Sequence, residues 1–250
     1  MKRALISVYN KEGIVDFALA LKELNWEVIS TGGTARLLKD SGIDVLEVED
    51  ITKFPEILDG RVKTLNPYIH GGLLYKRDNK EHIDTIEKMN IGPIDMVVNN
   101  LYPFEETVAK SSTNHDEILE NIDIGGPSMI RAAAKNYKYV ITLVDPKDYS
   151  KIIDELKESG DVSLNTKQYL AAKVFSYTAY YDSIISNYFN KIEGINFPDK
   201  LILSYKKKDN LRYGENPHQK AAFYEEVGQV AGTLAQGRQL HGKALSFNNI

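Results

Sequence analysis

Cysteine is absent from the chain, which excludes disulfides, thiolate metal sites and cysteine nucleophiles at once. No apolar run reaches the ~18 residues of a membrane-spanning helix. A basic excess is missing too: the net charge is −4 and the pI about 5.8, whereas a general nucleic-acid binder is expected to be basic. The amino terminus, MKRALISVYN, has too short an apolar run for a signal peptide and reads as a first strand. Internal repeats and low-complexity tracts are missing. The histidines, at positions 70, 82, 115, 218 and 241, show neither H-x-H nor H-E-x-x-H spacing, so no metal site is expected. No G-x-S-x-G occurs, and no nucleophile with a paired base is readable. A cytoplasmic protein is the simplest expectation.

What is present is ordinary for a globular protein. Of 250 residues, 42% are hydrophobic and 26% charged, enough to bury a real core in one large domain or in one domain plus part of another. Apolar runs alternate with helical spacing along most of the chain. RALISV (3–8), WEVIS (26–30), IDVLEVED (43–50), IDMVVNNLY (94–102) and YVITLV (139–144) read as strands. Between and after them KEGIVDFALALKELN (11–25), TARLLKDSG (34–42), HIDTIEKMN (82–90), the segment after NIDIGG, DPKDYSKIIDELKESG (145–160) and a long stretch over 165–192 read as helices. Residues between 51 and 81 are read as irregular. This alternation predicts a parallel sheet covered by helices on both faces. Texture changes over 193–210, where Gly194, Pro198 and a lysine run mark a connector. The last forty residues hold strand-like pieces such as AAFYEE and no convincing helix, and read as the start of a second domain. Residues after about 200 are therefore expected to be partly disordered or docked on the first domain, with proteolysis near Lys206–Asn210.

Ligands of such sheets bind beyond the carboxyl ends of the strands, and polar clusters lie at those points. SVYNK supplies Ser7, Asn10 and Lys11. STGGT supplies Ser30, Thr31, Gly32, Gly33 and Thr34, whose glycines and helix-start amides suit an anion, although a capped turn explains it equally well. It fits neither G-x-G-x-x-G nor the Walker A pattern. GRVKTLNP (60–67) carries Arg61, Lys63, Thr64 and Asn66 and is, on composition, a solvated basic loop. VVNNLYPF (97–104) delivers Asn99, Asn100 and Tyr102 to a strand end, where the tyrosine either covers the core edge or meets a ligand. In NIDIGGPSMIRAAAKN (121–136), Gly125 and Gly126 open a helix whose start suits an anion. Asp123 is a carboxylate there, early for a helix cap. Arg131 and Lys135 share one helix face, but Lys135 lies ~13 Å along the axis from a start near Gly126. Spacing alone does not bring it to Asp123.

Taken in order and spacing, STGGTA, GRVKTLNP, NLYPF and NIDIGGPSMIRAAAKN closely resemble the cyclohydrolase domain of the bifunctional purine-biosynthesis enzymes, which join AICAR transformylase to IMP cyclohydrolase. LRYGENPHQKAAFY (211–224) and GKALSFNNI (242–250) resemble the opening motifs of the transformylase domain. The resemblance implies an α/β, methylglyoxal-synthase-like fold over residues 1–197, then a connector and the beginning of a second α/β domain over 198–250. It implies dehydrative ring closure of FAICAR to IMP, with neither metal nor organic cofactor. Catalysis falls to Lys63, Tyr102, Asp123 and Lys135. Asp123, with Lys135, takes the carboxamide proton; Lys63, Tyr102 and the amides near Gly125 and Gly126 hold the oxyanion. The phosphate is expected at Ser7, Lys11 and Ser30–Thr34, assisted by Arg61 or Thr64, with Asn100 as a further substrate contact. Arg212 and Tyr213 match substrate-binding positions of the transformylase domain. The family's 10-formyltetrahydrofolate-dependent activity is expected to be absent, because the catalytic Lys-His pair lies beyond residue 250. The full-length family is expected to form a homodimer. An effector-binding module or a methylglyoxal synthase of the same fold is the competing expectation.

Overall fold

The structure, a computed structural model, describes residues 1–110, 114–227 and 232–249. Residues 228–231 and Ile250, which belong to the expected second-domain segment, lie outside the described residues. The chain forms two compact units, one of Met1–Tyr102 with Leu119–Ala179, the other of Pro103–Ile118 with Tyr180–Ile250.

The first unit opens with β1 (Arg3–Val8), α1 (Ile14–Glu23), β2 (Glu27–Ser30), α2 (Gly32–Asp40), β3 (Leu46–Glu47) and α3 (Val48–Thr52). Then come α4 (Pro67–Leu74), α5 (Lys80–Lys88) and β4 (Met96–Asn100). After α6 (Phe104–Ala109) and α7 (His115–Glu120) the chain forms α8 (Gly125–Lys135), β5 (Ile141–Leu143), α9 (Tyr149–Ser159) and α10 (Leu164–Ile192). The strands make one five-stranded sheet of order β3-β2-β1-β4-β5, parallel throughout.

Alternation along each strand divides the apolar residues between two faces. Ala4, Ile6 and Val8 of β1, Val28, Met96, Val98, Ile141 and Leu143 pack with Ile14, Phe17 and Leu21 of α1, Leu38 of α2 and Ile152 and Leu156 of α9. Leu5, Ile29 and Val97 point the other way and are fully buried, on the side where α8 meets β4, β5 and α4. Each such side chain contributes ~1.5–3 kcal/mol through burial. Both faces are covered, so the central strands read as apolar runs without alternation.

Two expectations for this unit are corrected. Residues 43–50 form only a two-residue strand, because Glu47 and Asp50 close a capping box that starts α3. The stretch read as irregular contains α4: Asn66 caps it by accepting from the Tyr68 N–H at 2.9 Å, and Pro67 supplies the first helical residue, a position that has no use for an N–H.

In the second unit β6 (Tyr205–Asn210) and β7 (Ala222–Glu226) pair antiparallel, with a bulge between Lys207 and Asp209. The lysine-rich stretch expected as an open connector is thus a strand. Pairing with β7 satisfies the backbone groups on one of its edges, and Lys208 meets Glu225 at 3.2 Å. Phe104 is buried against the rings of Tyr181 and Tyr188, at 6.3 and 5.7 Å.

Candidate active site

Parallel strands bring their carboxyl ends to one edge of the first unit. The sheet order reverses between β1 and β4, where such folds open a crevice. Asn100, the last residue of β4, braces the loop after β1. Its Oδ1 accepts from the Tyr9 and Asn10 N–H groups, each at 2.7 Å, and its Nδ2 donates to the Asn10 carbonyl at 3.1 Å. Asn99 points to the opposite face; its Nδ2 donates to the Ser7 carbonyl at 2.6 Å. The Asn99 Oδ1 is buried without a hydrogen-bond partner among the described residues, and such a group calls for a physical reason.

The STGGT segment is the entrance of α2, which begins at Gly32 rather than at Thr34. Ser30 is fully buried and donates to the Ile6 carbonyl at 2.6 Å. Thr34 Oγ1 takes the Val8 N–H at 3.1 Å and the Lys11 ammonium at 2.8 Å. The same ammonium also donates to the Val8 carbonyl, and burial pulls its pKa down. Thr31 is the N-cap of α2, and Gly32 adopts φ +56°. A Cβ at Gly32 would stand 3.7 Å from the Lys63 Nζ, so the Lys63 ammonium lies at the mouth of this helix. An open cleft of about 480 Å³ starts there, lined by Thr31, Gly32, Arg36, Lys39, Asp40, Glu47, Glu49 and Glu56.

NIDIGG forms the entrance of α8. Asp123 caps α8 from one position before the N-cap, Oδ1 accepting the Gly126 N–H at 2.9 Å. That explains a carboxylate which had looked too early to cap. Both glycines give clearance. A Cβ at Gly126 would fall 2.5 Å from the Asp123 Oδ2, and one at Gly125 would fall 2.9 Å from the Thr64 Oγ1. Burial raises the Asp123 pKa, opposed by the Gly126 N–H and by the Lys63 charge. A half-buried carboxyl with raised proton affinity, facing an ammonium, is the pattern expected of an acid–base group.

The structure thus joins Lys63, Thr64, Asp123, Gly125 and Gly126 with the mouth of α2. Tyr102 follows the end of β4, exposed, its ring 5.4 Å from that of Tyr9. Arg61 is turned to Glu120 in an exposed ion pair. Lys135 is not brought to Asp123: α8 is unbroken from Gly125 to Lys135, ~15 Å along its axis, with Lys135 exposed in the last turn. Arg131 on the same flank lies over the Phe175 ring at 5.3 Å. Arg212 and Tyr213 are in the second unit, guanidinium against ring at 5.3 Å.

Two residues not singled out in the sequence belong to this region. Tyr177 of α10 accepts the Leu101 N–H at 3.0 Å, and burial together with the Asp123 charge raises its phenol pKa. Nothing local separates it from the other tyrosines of that helix. Glu56 accepts from the Lys63 ammonium at 2.9 Å. The Leu-Asp-Gly run between them was the available signal, since it marks a chain reversal.

Comparison with known proteins identifies the family and the fold of the first unit. Residues 13–128 match the MGS-like domain family and residues 133–250 the AICARFT/IMPCHase bienzyme family. The bifunctional purine biosynthesis protein PurH of Thermoanaerobacter sp. (strain X514) is 59% identical over 249 residues, covering 100% of this chain and 49% of the relative. The same protein of Bacillus subtilis (strain 168) is 54% identical over 250 residues, with the same coverage. The solved crystal structure of ForH superposes with TM-score 0.66 at 34% identity, over 75% of this chain and 98% of that one. The chain belongs to the AICARFT/IMPCHase bienzyme family. The parallel sheet of its first unit is an MGS-like fold, and the chain spans about half the length of the PurH relatives it matches. Among the described residues, no helix of this bienzyme family member is long and apolar enough to cross a membrane.

Proposed function

We propose that this chain is an IMP cyclohydrolase, closing FAICAR to IMP with loss of water. The observation that carries the reading is Asp123, a half-buried carboxyl of raised proton affinity, set beside the Lys63 ammonium where α2 and α8 begin. Ring closure needs a base for the carboxamide nitrogen and positive charge for the formyl oxygen. Asp123 takes the nitrogen's proton as the C–N bond forms. Lys63 and the Tyr102 hydroxyl stabilise the oxyanion, and the oxygen leaves as water after two protonations, the former formamide nitrogen giving up its N–H proton as the ring C=N bond forms. One such donor is worth ~3 kcal/mol, and a placed base ~10²–10⁴ in rate. The ribotide phosphate rests at the mouth of α2, with Lys11, Thr34 and Thr64 nearby and Ser7 on the adjoining strand end. The partnerless Asn99 Oδ1 suits an amide N–H of the substrate. Lys135 acts on the substrate from farther along α8 rather than as the proton partner of Asp123.

The reaction as written uses neither metal nor organic cofactor. We assign residues 1–197 to the cyclohydrolase domain and 198–250 to the connector and the opening of the transformylase domain. In that second segment Arg212 and Tyr213 serve the 10-formyltetrahydrofolate-dependent activity of the bienzyme, and the full-length bienzyme assembles as a homodimer. The test is incubation with FAICAR while following IMP absorbance. Turnover by folded protein is the expected result. Tight IMP binding without turnover would favour an effector-binding module instead.

A further inference from the structure

Between Glu56 and Lys63 the chain reverses on itself. Ile57 and Val62 exchange backbone hydrogen bonds of 3.2 and 3.4 Å. Leu58, Asp59 and Gly60 between them adopt φ of +55°, +54° and +90°, the left-handed region that leucine rarely enters. This turn sets Glu56 opposite Lys63, and their charged groups meet at 2.9 Å. The Glu56 N–H is held by the Glu49 Oε1, also at 2.9 Å. Gly60 is required by the approach as well as by its φ, because a Cβ there would fall 2.6 Å from the Glu56 Oε1. Glu56 also lines the cleft that begins at Thr31 and Gly32. A negative charge is therefore built into a site whose helix mouth and lysine otherwise favour anions.

We propose that Glu56 is a positioning residue, an internal counter-ion that holds the Lys63 ammonium in place for the transition state and whose own charge, at the helix mouth, opposes the phosphate of the bound ribotide. This rests on the ring-closure reading above. The pair is partly exposed, 29% for Lys63 and 37% for Glu56, so the carboxylate's charge reaches an anion bound at the helix mouth. The carboxylate keeps the ammonium at the helix mouth between turnovers. It also limits how tightly the anionic product is held, which eases release.

The experiment is calorimetric titration of IMP and of uncharged inosine into the wild type, Glu56→Gln and Glu56→Ala, at low and high salt. Both variants are expected to bind IMP about two- to fivefold tighter at low salt, the size of a partly exposed ion pair. The gain shrinks at high salt, and inosine shows none. A merely structural role for Glu56 would weaken binding or leave it unchanged. Wild type that binds IMP, with variants that bind it equally or more weakly, overturns this inference and leaves the ring-closure reading intact. Equal tightening for inosine also overturns it. Wild type that binds no IMP overturns both.

Discussion

Asp123 sits where burial works against its charge, and the Gly126 N–H and the Lys63 ammonium only partly offset that cost. In the unfolded chain its carboxyl ionises in the usual range. In the folded protein it keeps its proton to higher pH. Ionising it therefore lowers stability, a loss absent below the unfolded pKa and complete above the raised folded one. Asp123→Asn keeps the shape and the acceptor for Gly126 while removing the charge. Thermal unfolding should show the variant more stable than wild type at about pH 7, with the difference shrinking toward about pH 3, where the wild-type carboxyl is protonated in both states. Activity should fall at the same time, since a site residue can be costly to the fold it serves. A variant less stable by the same margin at every pH would mean that burial does not dominate at this position.

At the scale of elements, α4 shows how a helix start prepares the site. Asn66 and Pro67 terminate GRVKTLNP and fix the direction in which α4 leaves, while Ile69 and Leu73 bury its inner side. Asn66→Ala should cost ~1 kcal/mol of stability by denaturant unfolding, the usual loss of an N-cap. A loss near zero would show that packing alone sets the helix start. Asn-Pro marks the start of this helix in the sequence, but its eight residues carry too little apolar periodicity to distinguish it from a loop. The strands β1, β2, β4 and β5 and the helices α1, α9 and α10 were legible, each having a clear run or repeat. The residues 43–50 were not, because IDVLEVED alternates like a strand while its carboxylates cap a helix. The candidate site divides the same way. Its motifs were visible residue by residue, and Asp123 was recognised as unusual. What stayed hidden were contacts across long sequence separations, Lys63 near Asp123 and Tyr177 at Leu101, whereas the helical rise between Asp123 and Lys135 was legible from spacing.

At the scale of the whole molecule, the parallel sheet of the first unit gathers segments far apart in sequence at one edge. The helix mouths at Gly32 and Gly125, the Lys63–Thr64 segment and Asp123 meet there, each too weak a signal to name a reaction by itself. In the proposed ring closure Lys63 acts mainly on charge that develops in the transition state. The most direct test is steady-state cyclisation of FAICAR by Lys63→Ala, with folding checked by circular dichroism. The prediction is a fall in kcat of about 10²–10³ with a much smaller change in KM, as for loss of a donor that acts in the transition state. An unchanged kcat with a raised KM would contradict it and reduce Lys63 to a ligand of the phosphate.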